Sequence, residues 1–186
     1  VRRFRNHPAL YGYFLADEPS AKDYADVYRK VEKIKLLDAI HPVYINLFPN
    51  YASSDQLGKA DYRDYVDSFL ATIDVKFLSF DSYPLAGNKI MANWYHNLEI
   101  ISSKARKYNK PFWAFANTTI FENYKQPILG GLKLQQFSNL LYGAKGLQYF
   151  TYITIDNDYW KKHKYGYAIV HNNGTPTPTY NLVKTL

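Results

Sequence analysis

Leu10-Tyr11-Gly12-Tyr13-Phe14-Leu15-Ala16 is an almost wholly apolar run that stops at Asp17-Glu18-Pro19. A short run without polar interruption reads as a strand covered on both faces, as in a parallel sheet lying under helices. Proline cannot donate to a ladder, so the strand ends by Pro19 and leaves two carboxylates at its mouth.

Four further runs of the same kind follow: Val43 to Phe48, Phe77 to Phe80, Phe112 to Ala116 and Gly146 to Ile153. The stretches between them carry apolar residues three and four apart. Ser20 is a good N-cap for a helix predicted over about Ala21 to Leu37, with Tyr24, Val27, Tyr28, Val31 and Ile34 on one stripe. The spacing recurs in Tyr62, Tyr65, Val66, Phe69, Leu70 and Ile73, in Trp94, Leu98, Ile101 and Ala105, and in Phe137, Leu140 and Leu141. Five strands therefore alternate with four helices. Asn172-Asn173-Gly174 is a turn signal, Thr175 to Thr179 a loop with two prolines, and Asn181 to Leu186 begins a last helix.

Repeated β-α units build either an open doubly wound sheet or a closed (β/α)8 barrel. The first usually announces a nucleotide with glycines after its opening strand, and neither GxGxxG nor GxxxxGK[ST] occurs. The second places functional residues at the C-terminal ends of several strands. That is the pattern present: Asp17 and Glu18 end the first run, Asn46 and Asn50 the second, Asp81 the third and Asn117 the fourth, with Gln148 and Thr151 in the fifth. The expected fold class is thus α/β, a (β/α)8 TIM barrel, with residues 1–186 as one domain. A full barrel needs eight strands and roughly 250 residues, so this chain is expected to be a part of one, its upstream strands missing or replaced by a second copy.

No Cys is present among 186 residues, which excludes a disulfide scaffold and a thiolate metal site. The five His share no ligand spacing, so no metal site is expected, and nothing calls for a cofactor. Residues 1–81 carry 11 Lys/Arg against 12 Asp/Glu, while residues 82–186 carry 12 against 4. The cations of the second part are scattered and no recognition motif accompanies them, so they read as a solvated face and not as a nucleic-acid groove. The apolar runs are too short to span a membrane, and Val1-Arg2-Arg3-Phe4-Arg5 is no secretory leader. A soluble protein is expected, periplasmic or secreted if a leader precedes it.

Leaving a strand through Asp17-Glu18-Pro19 resembles the Asn-Glu-Pro of clan A glycoside hydrolases at their fourth barrel strand. The likeness continues through His41 to Asn46 for the fifth strand, Leu78 to Pro84 for the sixth, Pro111 to Ala116 for the seventh and Leu141 to Tyr152 for the eighth, the last similar to family 42 β-galactosidase-like barrels. The resemblance implies the C-terminal portion of the barrel, about strands 4 to 8, and a carbohydrate as substrate. It implies Glu18 as the general acid/base that protonates the departing glycosidic oxygen, with Asp17 bonding the sugar 2-hydroxyl.

One departure stands out. The clan places a nucleophilic Glu at the end of the seventh strand, where this chain has Asn117-Thr118-Thr119. Hydrolysis needs a second carboxyl, and Asp81, Glu122 or a residue on the missing strands is left to supply it. Asp81 is taken as the second catalytic residue. Asp17, Asn46, Tyr83, Trp113, Asn117, Gln148 and Tyr149 are expected to bind substrate. Aromatic residues make up 18% of the chain, and Tyr13, Tyr44, Tyr83, Tyr149 and Tyr152 are rings that can stack on sugars. A competing reading makes Glu18 a surface carboxylate favoured by the dipole of the following helix, Asp81 a turn former and Trp113 core. The corresponding functional alternative is a carbohydrate-binding barrel with a degenerate site.

Five parallel strands leave two unpaired edges. The isolated chain is therefore expected to aggregate, or to pair with a missing half or a second copy. A monomer that unfolds cooperatively in sedimentation-controlled thermal scans, unchanged on dilution, overturns that expectation.

Overall fold

The computed structural model describes residues 1–87 and 89–186. The elements run β1 (Tyr13–Asp17), α1 (Tyr24–Leu37), β2 (Val43–Leu47), α2 (Ser54–Leu57), α3 (Tyr62–Thr72), β3 (Leu78–Phe80), β4 (Leu85–Ala86), β5 (Lys89–Ile90), α4 (Trp94–Lys107), β6 (Phe112–Asn117), α5 (Leu129–Leu141), β7 (Gly146–Phe150), α6 (Asp158–Lys162) and α7 (Pro178–Thr185). A five-stranded parallel sheet has the order β1-β2-β3-β6-β7, and β4 pairs antiparallel with β5. Each of the five apolar runs forms a strand of that sheet. Among the described residues there are five such strands, not the eight of a closed barrel.

β1 and β7 are the edges, and there the expectation of cover on both faces fails. Phe14 is 60% exposed, whereas all of β3 is buried. An edge strand has a neighbour on one side only, so half of the side-chain cover that a central strand receives is missing. β1 also carries a bulge: Phe14 pairs with Tyr44 and Ala16 with Ile45, leaving Leu15 as the extra residue. Gly12 precedes it where the chain passes Pro42, whose carbonyl oxygen would lie 2.6 Å from any Cβ at this position. The same oxygen accepts from the Tyr13 amide at 2.9 Å.

Two compact units make up the chain, Val1–Asp81 with Glu99–Trp113, and Ser82–Leu98 with Ala114–Leu186. In the first, Ser20 caps a short 3-10 turn, Ala21–Asp23, from which α1 continues. α1 buries Tyr24, Val27 and Val31, and α3 buries Tyr62, Tyr65, Val66, Phe69 and Leu70. Tyr28, expected on the α1 stripe, is 43% exposed. The Tyr24 ring meets those of Tyr65 and Phe69 at 5.6 Å each.

Part of the cation excess of residues 82–186 is paired in the same unit. Lys104 and Lys107, on α4, both pair with Asp67 of α3, while Lys35 and Lys110 bracket Asp74. Three of the cations that sequence position leaves scattered, Lys104, Lys107 and Lys110, thus pair with two acids of the first half of the chain.

In the second unit, α5 has the predicted position but not the predicted face. Phe137, Leu140 and Leu141, expected to be its buried stripe, are 52%, 47% and 83% exposed. Its buried side instead holds Gly131, Leu132, Gln135, Gln136, Ser138 and Asn139. The carboxamides satisfy backbone groups of the strands beneath. Gln135 Oε1 accepts from the Asn117 amide at 2.9 Å, Asn139 Nδ2 donates to the Phe115 carbonyl at 3.3 Å, and Gln136 Nε2 donates to the Gln148 carbonyl at 3.3 Å. Buried backbone groups need partners, and this demand outranks apolar periodicity here.

Burial alone would raise the Asp67 carboxyl, but Lys104 and Lys107 hold it below the ordinary carboxylate range. The stability from this depressed group is present above the unfolded value near 3.9 and is lost as pH falls through the folded one. Asp67→Asn is therefore expected to lower stability at neutral pH by about 1–2 kcal/mol. Urea unfolding of both proteins should show the difference shrinking as the pH drops below about 4.

Candidate active site

The register of the first three strands sets the site. Asp17 of β1 stands opposite Asn46 of β2, and Asn46 opposite Ser79 of β3. Period-two alternation then returns Asp81, one residue past β3, to the face of Ser79. Three polar side chains in register with a fourth just beyond them are what a parallel sheet provides at its carboxyl end.

Asn46 is the centre of this group. Its Nδ2 donates to Asp17 Oδ1 at 3.2 Å and to Asp81 Oδ1 at 2.6 Å, and its Oδ1 accepts from Ser79 Oγ at 3.0 Å. A carboxylate can only accept, so the amide nitrogen must face the two acids. Ser79, fully buried, also lies 3.3 Å from the Tyr44 hydroxyl. Both amide hydrogens of Asn46 are taken and the residue is 5% exposed. It was expected to contact substrate, but in this arrangement it orients the acids.

Glu18 enters from the turn after β1. Its φ is 48°, in the left-handed region that non-glycine residues adopt at a cost of about 1–3 kcal/mol. Two bonds fix that turn: the Glu18 amide donates to the Asn46 carbonyl at 2.8 Å, and the Tyr65 hydroxyl donates to the Pro19 carbonyl at 2.9 Å. The Glu18 carboxyl is hydrogen-bonded to that of Asp81. Burial raises the Tyr65 phenol, and the nearby charges of Glu18 and Asp81 add to the rise.

Burial pushes the Asp81 carboxyl up to about 6. The Asn46 hydrogen bond opposes the rise, the neighbouring Asp17 charge adds to it, and the hydrogen bond from Glu18 opposes it.

Trp113 lies elsewhere. It is the second residue of β6, four before Asn117, and its ring stacks at 4.1 Å on Phe77, which precedes β3, and at 5.7 Å on Tyr11. Asp81 follows β3, so Trp113 sits at the other end of the sheet from the acids, against the expectation that it binds substrate. Tyr13 is likewise engaged in structure, its hydroxyl donating to Asp38 Oδ2 at 2.6 Å.

The remaining expected residues belong to the second unit. Asn117 ends β6 and is 6% exposed, and its Oδ1 accepts from the Thr119 amide at 3.1 Å. Tyr83, 5% exposed, packs edge-on against Phe121 and Tyr124. Both line a cavity of about 350 Å³ together with Tyr124, Gln126 and Gln135. Gln148 and Tyr149 are half-buried on β7, and Glu122 is exposed in the loop after β6. Among the described residues, no group of three or more His, Cys, Asp or Glu is arranged to hold a metal ion, and no helix is long and apolar enough to cross a membrane.

Sequence reasoning missed Ser79 and Tyr65. Ser79 had a usable signal, since it stands two residues before Asp81 in a buried strand, where a hydroxyl requires a partner.

No protein-family profile and no curated protein sequence matches the chain. Solved structures do. One is described as a "putative alpha-L-fucosidase" from Bacteroides thetaiotaomicron VPI-5482, with a TM-score of 0.56 and 10% identity, over 78% of this chain and 50% of that one. Another is a GH128 (subgroup II) endo-β-1,3-glucanase from Sorangium cellulosum, with a TM-score of 0.52 and 17% identity, over 91% of this chain and 68% of that one. The fold is similar to that of these two proteins, and the chain spans half the length of the first of them.

The raised Asp81 carboxyl has a consequence for stability. Its favourable contribution is complete below the unfolded value near 3.9 and is lost as pH rises through about 6. Asp81→Asn removes this loss. The stability of the variant relative to the parent is expected to increase from about pH 4 to about pH 7, measured by urea unfolding at each pH.

Proposed function

We propose that the chain is the C-terminal part, about strands 4 to 8, of a (β/α)8 glycoside hydrolase that cleaves O-glycosidic bonds with Glu18 as general acid/base. The observation that carries this reading is the convergence of Glu18, Asp81 and Asp17 on Asn46 at the carboxyl ends of three adjacent parallel strands. The glycosidase-like fold and the position of β1 at a sheet edge agree with it.

In this reading the Glu18 carboxyl, beside the raised Asp81, gives its proton to the leaving oxygen as the glycosidic bond breaks and regains one from Asp81. Burial of Asp81 keeps that proton available near neutral pH, where an exposed carboxyl has lost it. Tyr83 and Asn117, with the cavity they line, and Gln148 and Tyr149 on β7 offer the phenol and carboxamide groups that hydrogen-bond sugar hydroxyls. The proteins of similar fold are named for an α-L-fucoside and a β-1,3-glucan, two different sugars and linkages, so the proposal is of a bond class and not of a sugar.

A second reading, carbohydrate binding without turnover, is favoured by one observation, the amide Asn117 at the end of β6. The two readings part on Glu18→Gln. For a general acid, the substitution should slow aryl glycosides with poor leaving groups by about 10²–10⁴-fold and activated ones far less. Equal rates for parent and variant on both kinds would remove Glu18 from the role. Sugar binding without turnover in the parent would favour the second reading.

A further inference from the structure

We propose that the cavity lined by Asn117 and Tyr83 is a binding site for a uronic sugar, with Asn117 Nδ2 donating to the sugar carboxylate and Lys125 supplying the opposing charge. This rests on the carbohydrate reading above and deepens it by naming the class of sugar.

Asn117 is the first support. It is more than nine-tenths buried, and it lines the cavity. The Thr119 amide donates to its Oδ1 at 3.1 Å, so the oxygen is fixed there and the nitrogen faces the other way. Among the described residues nothing accepts from Nδ2, and that nitrogen is not sealed from solvent. A largely buried donor is costly to leave unmade, so the cavity calls for an acceptor.

The rest of the lining is the second. It includes Lys125, the rings of Tyr83 and Tyr124, and the aliphatic Leu85 and Ile128, and no Asp or Glu among the described residues. Glu122, the acid nearest to these in sequence, stands by Tyr165 instead. The second unit as a whole carries eight Lys against three Asp/Glu, so an approaching anion meets an attractive field. A neutral sugar would use the Asn117 donor alone, whereas a carboxylate uses both donor and charge. Charge-assisted hydrogen bonds of that kind are roughly twice as strong as neutral ones. The apolar face of the sugar ring matches the aromatic wall.

The walls are held before any ligand arrives. Ala86 bridges to Tyr124, the Gly87 amide donates to the Asn123 carbonyl at 3.0 Å, and Tyr83 packs edge-on against Tyr124 at 5.5 Å. At the back, Gly131 lets α5 approach Leu85, whose Cδ1 would lie 2.7 Å from any Cβ at that position. A preformed cavity of about 350 Å³ is within the range of small-molecule sites, and its walls need little ordering on binding.

The test is calorimetric titration of the full chain with the methyl glycosides of glucuronic and galacturonic acid, with those of glucose and galactose, and with acetate. One uronide should bind about tenfold or more tightly than both its neutral counterpart and acetate. Asn117→Asp keeps the Oδ1 that accepts from Thr119 but replaces the donor with a second acceptor, so it should abolish the preference. Lys125→Glu, at an exposed position, should lower the preference by about fivefold or more, and it decides alone if circular dichroism shows that Asn117→Asp does not fold. Equal binding of uronide and neutral glycoside, acetate bound as tightly as the uronide, or a preference that either folded variant keeps overturns the assignment. Binding of none of the probes overturns it too. In each of these cases the leaving-group comparison on Glu18→Gln still decides the glycosidase reading, so the two fail separately.

Discussion

The Asn46 amide is the interaction on which the site depends. Two carboxylates that converge at the end of a sheet repel each other. A single nitrogen with two hydrogens holds one acid on each, at 3.2 and 2.6 Å. The opposite end of the same amide is fixed by the buried Ser79 hydroxyl, so the side chain cannot turn its oxygen toward the acids. The register that sets Asp17 beside Asn46 and Asn46 beside Ser79 is therefore what assembles the site. Slipping β1 by one residue would send Asp17 to the other face of the sheet.

Much of the fold was legible because apolar runs and helical spacings are direct consequences of burial. The runs beginning at Leu10, Val43, Phe77, Phe112 and Gly146 all became strands. What local pattern cannot register is the position of a strand in its sheet. Phe14 and Phe80 look alike in sequence, yet one is largely exposed at an edge and the other is 1% exposed in the centre. α5 fails for a different reason. Gln135, Gln136 and Asn139 read as a polar face, but strand backbone groups below them require partners, and long carboxamides reach where an apolar side chain cannot bond.

The acids of the site were legible too, since a carboxylate at the mouth of an apolar strand has few structural uses. Their relations were not. Glu18 and Asp81 are 63 positions apart in the chain, and nothing local says that they come together while Asp17 is held apart from Asp81 by an amide. Asn46 shows the same gap from the other side. The sequence marks it as a polar group at a strand end, and only the three bonds it makes turn it from a substrate contact into a support. Trp113 was misplaced because a strand has two ends, and its place near the start of β6 puts it with Phe77 and Tyr11.

The left-handed backbone at Glu18 joins these strands of argument. A glycine would adopt φ 48° without strain, so a glutamate here carries a local backbone cost. The strain persists because its surroundings over-determine it: the Asn46 carbonyl holds the Glu18 amide, and the Tyr65 hydroxyl holds the Pro19 carbonyl. Asn46 thus acts twice, through its side chain on Asp17 and Asp81 and through its backbone on Glu18. A residue that fixes three acids by two independent sets of bonds cannot shift without moving all of them, so the relative placement of the three acids is set by the fold of β1 and β2.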